Sequence, residues 1–297
     1  MKIVIALGGN AILQKGEKGT EEEQRKNVMK SCKQIAKLIN DHEIVIAHGN
    51  GPQVGNLFIQ QQGANKELPP MPLHLCDAMT QGQIGYWIQQ SLRDLSKREV
   101  VTVITQVLVD KNDPAFKQPS KPVGPFYEEK KSDDMVYDAG RGYRKVVPSP
   151  KPIKIIELES IKELIDSGTI VVACGGGGIP VIEENGKLKG VEAVIDKDRA
   201  SQVLANEIEA EVLVILTSVS NVYLNYQKPN QKVLYNLTIE EAKKYLEEGH
   251  FAEGSMKPKI EAAVEFLENG GKKAVISSLD KLVEALEGEA GTIITKE

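Results

Sequence analysis

Only three of the 297 residues are cysteine, Cys32, Cys76 and Cys174, an odd number with no CxxC pair. That excludes a disulfide framework and predicts reduced, mostly buried thiols of a cytoplasmic protein. No apolar run approaches the ~20 residues that span a bilayer, so no membrane role is expected. The opening residues lack the basic stretch, apolar core and cleavage site of a signal peptide. Positive charge is also short: the formal net charge of −5 argues against a dedicated nucleic-acid binder. Two nucleotide signatures are missing. There is no GxxxxGK[ST], and no GxGxxG opens a helix after a strand, which disfavours P-loop and dinucleotide folds. No convincing histidine nucleophile-activator or Cys–His pair is present.

A sizeable core is available instead, at 41% hydrophobic residues. Strand-like runs lie near 2–7, 43–48, 99–108, 169–174, 212–217 and 273–277, with a weaker one at 291–295. Between them fall stripes at 3–4-residue spacing, such as Val28, Cys32, Ile35 and Leu38–Ile39, or Ile84, Trp87–Ile88, Leu92 and Leu95. Further stripes run through Ile161–Ile165, Ala200–Ile208 and Ile260–Leu267. Strand and helix in alternation predict a mostly parallel sheet covered on both faces. Asn185–Gly186 between extended runs predicts a hairpin, and 225–232 a surface loop.

The segment 110–150 breaks the rhythm. It holds six of the fourteen prolines and five of the fourteen aromatics. Disordered linkers are poor in aromatics, so an ordered inserted subdomain or lid is expected.

Three strand-like runs end in glycine turns: Gly8-Gly9-Asn10, Gly49-Asn50-Gly51 and Gly175 to Gly178. Together they predict a site built along one sheet edge. Exposed backbone N–H groups at Gly8–Asn10 would cradle an anion; a simple tight turn is the plainer alternative. His48 reads as a packed, hydrogen-bonded histidine. The four-glycine run suits a backbone that a ligand must touch, or a hinge. Lys197 stands between Asp196 and Asp198, a setting that would hold it ionised for a phosphate, while Asp198 is also a plausible helix N-cap. Lys257 and Lys259 sit at the start of a helix, where the macrodipole disfavours cations. A bound polyphosphate would repair this; two solvated lysines would be the other reading. Lys121 is held between Ser120 and Pro122 in the insertion, or simply stiffens a surface loop.

Seven motifs in order, IVIALGGNAIL, VIAHGNGPQVG, KPVGPFY, DAGRGYRKVVPSP, ACGGGGIPV, VIDKDRAS and GSMKPKIEAA, span nearly the whole chain. The set resembles the carbamate kinases of the amino acid kinase superfamily. The resemblance implies a single three-layer α/β/α domain with an open, mainly parallel sheet. It implies an acceptor lobe over 1–109 and 151–190, a lid over 110–150 and a nucleotide lobe over 191–297. It further implies a cytoplasmic homodimer using Mg²⁺ with ATP or ADP, with no dedicated protein metal site. The reaction would be carbamate + ATP ⇌ carbamoyl phosphate + ADP, run commonly toward ATP at the end of arginine breakdown in fermenting cells and toward carbamoyl phosphate in some archaea.

By the same resemblance, Lys121, Lys197 and Lys257 would neutralise the transferring phosphoryl group, with Asp198 orienting the lysines. Gly8, Gly9, Asn10, Gly49, Asn50, Gly51, Gly175, Gly176 and Gly177 would hold phosphoryl and acceptor. Ser218, Val222, Tyr223 and Met256, with Lys197 and Lys257, would line the nucleotide pocket. Phosphoryl transfer is served mainly by positioning and positive charge, and carbamate carries its own nucleophilic oxygen, so no general base is required. Other readings are a kinase for another small acceptor (an amino acid or uridylate), a non-catalytic sensor on the same fold, and a nicotinamide oxidoreductase.

Overall fold

The structure is a computed structural model that describes residues 1–14, 16–63, 67–138 and 142–297, and for Asn10 the backbone alone. Among the described residues, eight strands form the central sheet. In chain order they are β1 Lys2–Leu7, β2 Glu43–His48, β3 Val100–Thr102, β4 Ile170–Val172, β5 Val212–Thr217, β6 Asn236–Thr238, β7 Lys273–Ser278 and β8 Thr292–Thr295. Across the sheet the order is β6-β8-β7-β5-β1-β2-β4-β3. Every pairing is parallel except β7 with β8. The two edges of β1 carry the register of the molecule, with Ile5 opposite Val214 on one side and Ile46 on the other.

Alternation along the strands builds two cores. Ile3, Ile5 and Leu7 face one side; Val4 and Ala6 face the other. Eight α-helices run among the described residues: α1 Glu21–Ile35, α2 Gly51–Gln62, α3 Leu73–Ser96, α4 Leu158–Asp166, α5 Lys197–Glu207, α6 Ile239–Glu247, α7 Met256–Glu268 and α8 Leu282–Glu287. Helices α1, α3 and α8 cover the Ile3 side and α4 to α7 the Val4 side, giving three layers. The apolar stripes are the buried faces of these helices: Val28, Cys32 and Ile35 of α1 and Ile84, Ile88 and Leu92 of α3 are fully covered. The three cysteines are buried and free.

The run 99–108 is not one strand. It breaks after Thr102, and Gln106–Val109 joins a second sheet with Ile179–Glu184, Lys187–Gly190 and Pro152–Ile155. The Gln81 side chain fixes the break by bonding both Thr105 N–H (2.8 Å) and Thr105 carbonyl (3.0 Å). Asn185–Gly186 forms the hairpin turn, both residues at positive φ.

Residues 121–147 include a three-stranded antiparallel sheet, Lys121–Tyr127, Tyr143–Val147 and Met135–Tyr137. It docks on α2 through glycine: a Cβ on Gly55 would lie 1.9 Å from Gly124 N. Val123 and Val147 pack there with Val54 and Leu73. Residues 139–141 of the DAGRGYRKVVPSP motif lie outside the described residues.

Candidate active site

Three helices begin at one place. Asn50, Gly51 and Pro52 at the head of α2, Asp196 to Asp198 at the head of α5, and Pro258 with Lys259 in the first turn of α7 all line one cleft. Its volume is about 170 Å³, and Gly9, Gly49, Lys121, Asp138, Arg144 and Gly176 are also among the residues that line it. The first amides of a helix have no intrahelical acceptor and carry the positive end of its dipole. Three such ends around one cleft select for an anion.

Side chains add to this field. Lys121, opening the inserted sheet, is ion-paired to Asp196 Oδ2. The other oxygen of Asp196 accepts the Asp198 N–H at 2.9 Å and caps α5. Lys197 Nζ donates to Asp198 Oδ1, and Lys259 Nζ to Asp198 Oδ2 at 2.9 Å. Arg144 reaches the same cleft, tied to Gly124 carbonyl at 2.9 Å and Asp138 at 3.0 Å. Three ammoniums and two carboxylates thus form one chain across the cleft. Buried ion pairs lose much of their Coulomb gain to desolvation, so this chain is a costly way to stabilise a fold and an effective way to hold cations for an anionic ligand.

The titration of these groups follows from their neighbours. Burial works to raise the Asp196 carboxyl, but Lys121 first, then Lys259 and Lys197, hold it well below the usual range. Asp198 is likewise lowered, burial and Asp196 opposing while Lys197 and Lys259 win. Burial lowers Lys197, with Asp198 resisting. Lys259 is raised, because Asp198 and Asp196 outweigh its burial. Both carboxylates are therefore ionised and committed to lysines, and neither is placed to take a proton.

The glycine turns divide in role. Gly9 lines the cleft, and a Cβ there would meet nothing within 4 Å. Gly49 and Gly51 line it too, but the Gly49 N–H is already given to Leu7 carbonyl at 3.0 Å, so Gly49 offers the cleft space and no donor. Gly175 to Gly178 are all buried in a tight turn, and only Gly176 lines the cleft. The run is glycine because protein presses on it. A Cβ on Gly175 would lie 2.5 Å from His48 Nε2, on Gly176 2.2 Å from Asn50 Nδ2, and on Gly177 2.4 Å from Ile195 carbonyl. His48 is fully buried and neutral, its pKa lowered to about 4 by burial, and Nδ1 lies 3.2 Å from Gly49 carbonyl.

The sequence expectations meet the structure unevenly. Lys121, Lys197, Asp198, Gly9, Gly49, Asn50, Gly51 and Gly176 converge on the cleft. Lys257 does not: it turns away toward Glu253, 2.7 Å off, and is one-third exposed. The inward lysine is Lys259, two residues on and across the helix. The N-cap of α5 is Asp196, not Asp198, which frees Asp198 for its two lysines. Gly8 and Ser218 line a neighbouring cleft of about 330 Å³ with Lys30 and Asp280. Val222 is fully buried, its N–H given to Thr292 at 2.8 Å, so its side chain is inaccessible to a ligand. Tyr223 stands half-exposed beside Tyr226, and Met256 packs against the Val4-side core. The Asn10 side chain lies outside what is described.

Arg144 was not singled out in the sequence; Asp196 was read only as a neighbour holding Lys197, and Lys259 only as the companion of Lys257 at a helix start. No group of three metal-ligating His, Cys, Asp or Glu occurs among the described residues. No helix among them is long and apolar enough to cross a membrane.

The amino acid kinase family model matches residues 1–278. A carbamate kinase of Thermococcus kodakarensis is 54% identical, covering 100% of this chain and 99% of its own. Carbamate kinase 2 of Enterococcus faecalis is 48% identical over 99% of this chain and 98% of its own. Among solved structures, carbamate kinase from Giardia lamblia bound to AMP-PNP superposes with a TM-score of 0.92 at 45% identity, covering 100% of this chain and 98% of that one.

Proposed function

Since the chain belongs to the amino acid kinase family, we propose that it is a carbamate kinase, moving a phosphoryl group reversibly between ATP and carbamate. The observation that carries the reading is the junction of Lys121, Lys197 and Lys259 at three helix N-termini, in a chain that matches named carbamate kinases end to end. The acceptor oxygen of carbamate is already anionic, so a site whose carboxylates Asp196 and Asp198 are ionised and lysine-bound suits it. A loose phosphoryl transfer needs its equatorial oxygens neutralised and its two ends held in line. Lys121, Lys197 and Lys259 supply the charge, and the open face at Gly9 and the α2 head supply space and amides. Asp196 and Asp198 keep the lysines charged and aimed.

Mg²⁺ would enter with the nucleotide, because Asp196 and Asp198 are engaged by lysines and no group of three metal-ligating side chains occurs among the described residues. Its part would be to neutralise charge on the phosphates. The nucleotide lies over the α5 and α7 heads, toward Tyr223 and Met256, and the 121–147 sheet closes the acceptor side and excludes water. A second copy of the chain docks on α3, where Leu75, Met79 and Tyr86 are 39%, 44% and 53% exposed at helical spacing. Three buried free thiols suit the reducing cytoplasm, and turnover of carbamoyl phosphate in arginine metabolism is the expected role.

An acceptor panel tests the reading. With Mg-ATP, ADP release should appear with carbamate (ammonia plus bicarbonate) and stay at background with glutamate, aspartate or uridylate. Release with one of the latter alone would replace carbamate as the acceptor.

A further inference from the structure

Asp77 is a carboxyl that the phosphoryl chemistry leaves unused. It sits on α3, fully buried, and its Oδ2 has no hydrogen-bond partner. An unpaired buried carboxyl costs stability, so its position calls for another reason. Its Oδ1 accepts from Asn50 Nδ2 at 2.8 Å. Thr80 Oγ1, one turn along α3, accepts from the same Nδ2 at 2.9 Å. The Thr80 hydroxyl proton is itself directed to the carbonyls of Cys76 and Asp77, both 3.0 Å away, so toward Asn50 it can only accept. Both amide hydrogens of Asn50 are thereby drawn to α3. The amide is planar, so its oxygen is turned away from α3. Asn50 lines the cleft, and Gly176 at φ +69° lies flat against the amide with no side chain to cover it.

We propose that Asp77 is a positioning residue: it holds the Asn50 amide with Oδ1 toward the cleft, where that oxygen accepts an N–H of carbamate and so separates carbamate from acetate. The proposal rests on the carbamate kinase reading and adds what selects the acceptor. Carbamate and acetate match in size and charge and differ only in NH₂ against CH₃. The cations and backbone amides of the cleft grip the carboxylate or phosphoryl end of either. An uncharged acceptor is satisfied by the amino group and left bare by the methyl.

The test compares ATP formation from Mg-ADP with carbamoyl phosphate and with acetyl phosphate, as the ratio of the two kcat/KM values. In Asp77→Ala the amide is free to turn, and the ratio should fall about tenfold, the worth of one hydrogen bond, with KM for Mg-ADP unchanged. Asp77→Asn still offers an oxygen to Asn50 and should restore most of the ratio, which a merely structural loss would not do. Should Asp77→Ala fail to fold, Thr80→Val decides alone: a fall of a few-fold supports the proposal, and an unchanged ratio overturns it. An unchanged ratio in folded Asp77→Ala, or an equal loss in Asp77→Asn, also overturns it. Those results leave the carbamate kinase reading intact; a wild-type chain that makes no ATP from carbamoyl phosphate would overturn both.

Discussion

Replacing Lys259 by methionine removes one of the two ammoniums on Asp198 and leaves the chain length in place. Asp198 is 2% exposed, so solvent cannot take the lost partner's role. Breaking a buried ion pair outright costs about 3–5 kcal/mol. Lys197 remains on the other oxygen, so a loss nearer 2 kcal/mol is expected, below that full cost. The effect on chemistry should be larger. A preorganised cation aimed at developing charge is worth about 10²–10³-fold in kcat, and that is the expected fall for Lys259→Met. Lys257→Met is the internal control. Its ammonium pairs with Glu253 on the surface, a contact worth less than about 0.5 kcal/mol, and kcat should stay at the wild-type value. Urea midpoints report the stability and luciferase-detected ATP formation from Mg-ADP and carbamoyl phosphate reports the rate. The geometry is refuted if Lys257→Met loses the activity and Lys259→Met keeps it.

Acid should unfold the chain partly through His48. Burial lowers its pKa from 6.5 to about 4, so below 6.5 the unfolded chain takes the proton first and stability falls as pH falls toward 4. Between pH 6.5 and 5 this amounts to about 2 kcal/mol, which His48→Gln should lack in urea titrations at pH 7 and 5; equal acid losses in both proteins would contradict it. Gly176→Ala forces a Cβ onto Asn50 at positive φ, and should cost at least about 1 kcal/mol and raise KM for carbamoyl phosphate; an unchanged KM would show that the contact relaxes harmlessly. On α3, the double variant Met79→Glu, Tyr86→Glu should sediment as a monomer where the wild type sediments as a dimer, and identical sedimentation would remove α3 from the interface.

The parts of the fold most legible in the sequence were those fixed by local pattern. β1, β2, β5 and β7 are buried on both faces, and each reads as a continuous apolar run. The break at Thr105 was invisible because a distant side chain, Gln81, makes it. Helix α2 was hidden because Gly51-Pro52 reads as a turn, although proline suits the first turn of a helix. The start of α3 was hidden because Asp77, Thr80 and Gln81 are polar residues buried against the site, not against water. In the site, Lys197 and its flanking carboxylates were visible as a group, but the helix cap is Asp196, two residues before the Asp198 expected there. Lys257 and Lys259 flank a proline in one helical turn, and only the packing of α7 on α5 decides which of them points inward. The glycine run was recognisable as a close approach, but which partner approaches, protein or ligand, depends at Gly175 and Gly176 on His48 and Asn50, more than a hundred residues away.

The most direct measurement is the reverse reaction. Purified wild type and Lys121→Ala are mixed separately with Mg-ADP and carbamoyl phosphate, and ATP is followed by luciferase while Mg-ADP binding is measured by calorimetry. Rapid ATP formation by the wild type, lost in Lys121→Ala with nucleotide binding kept, is the predicted result. A wild type that binds Mg-ADP and makes no ATP, or a Lys121→Ala chain as fast as wild type, would contradict it.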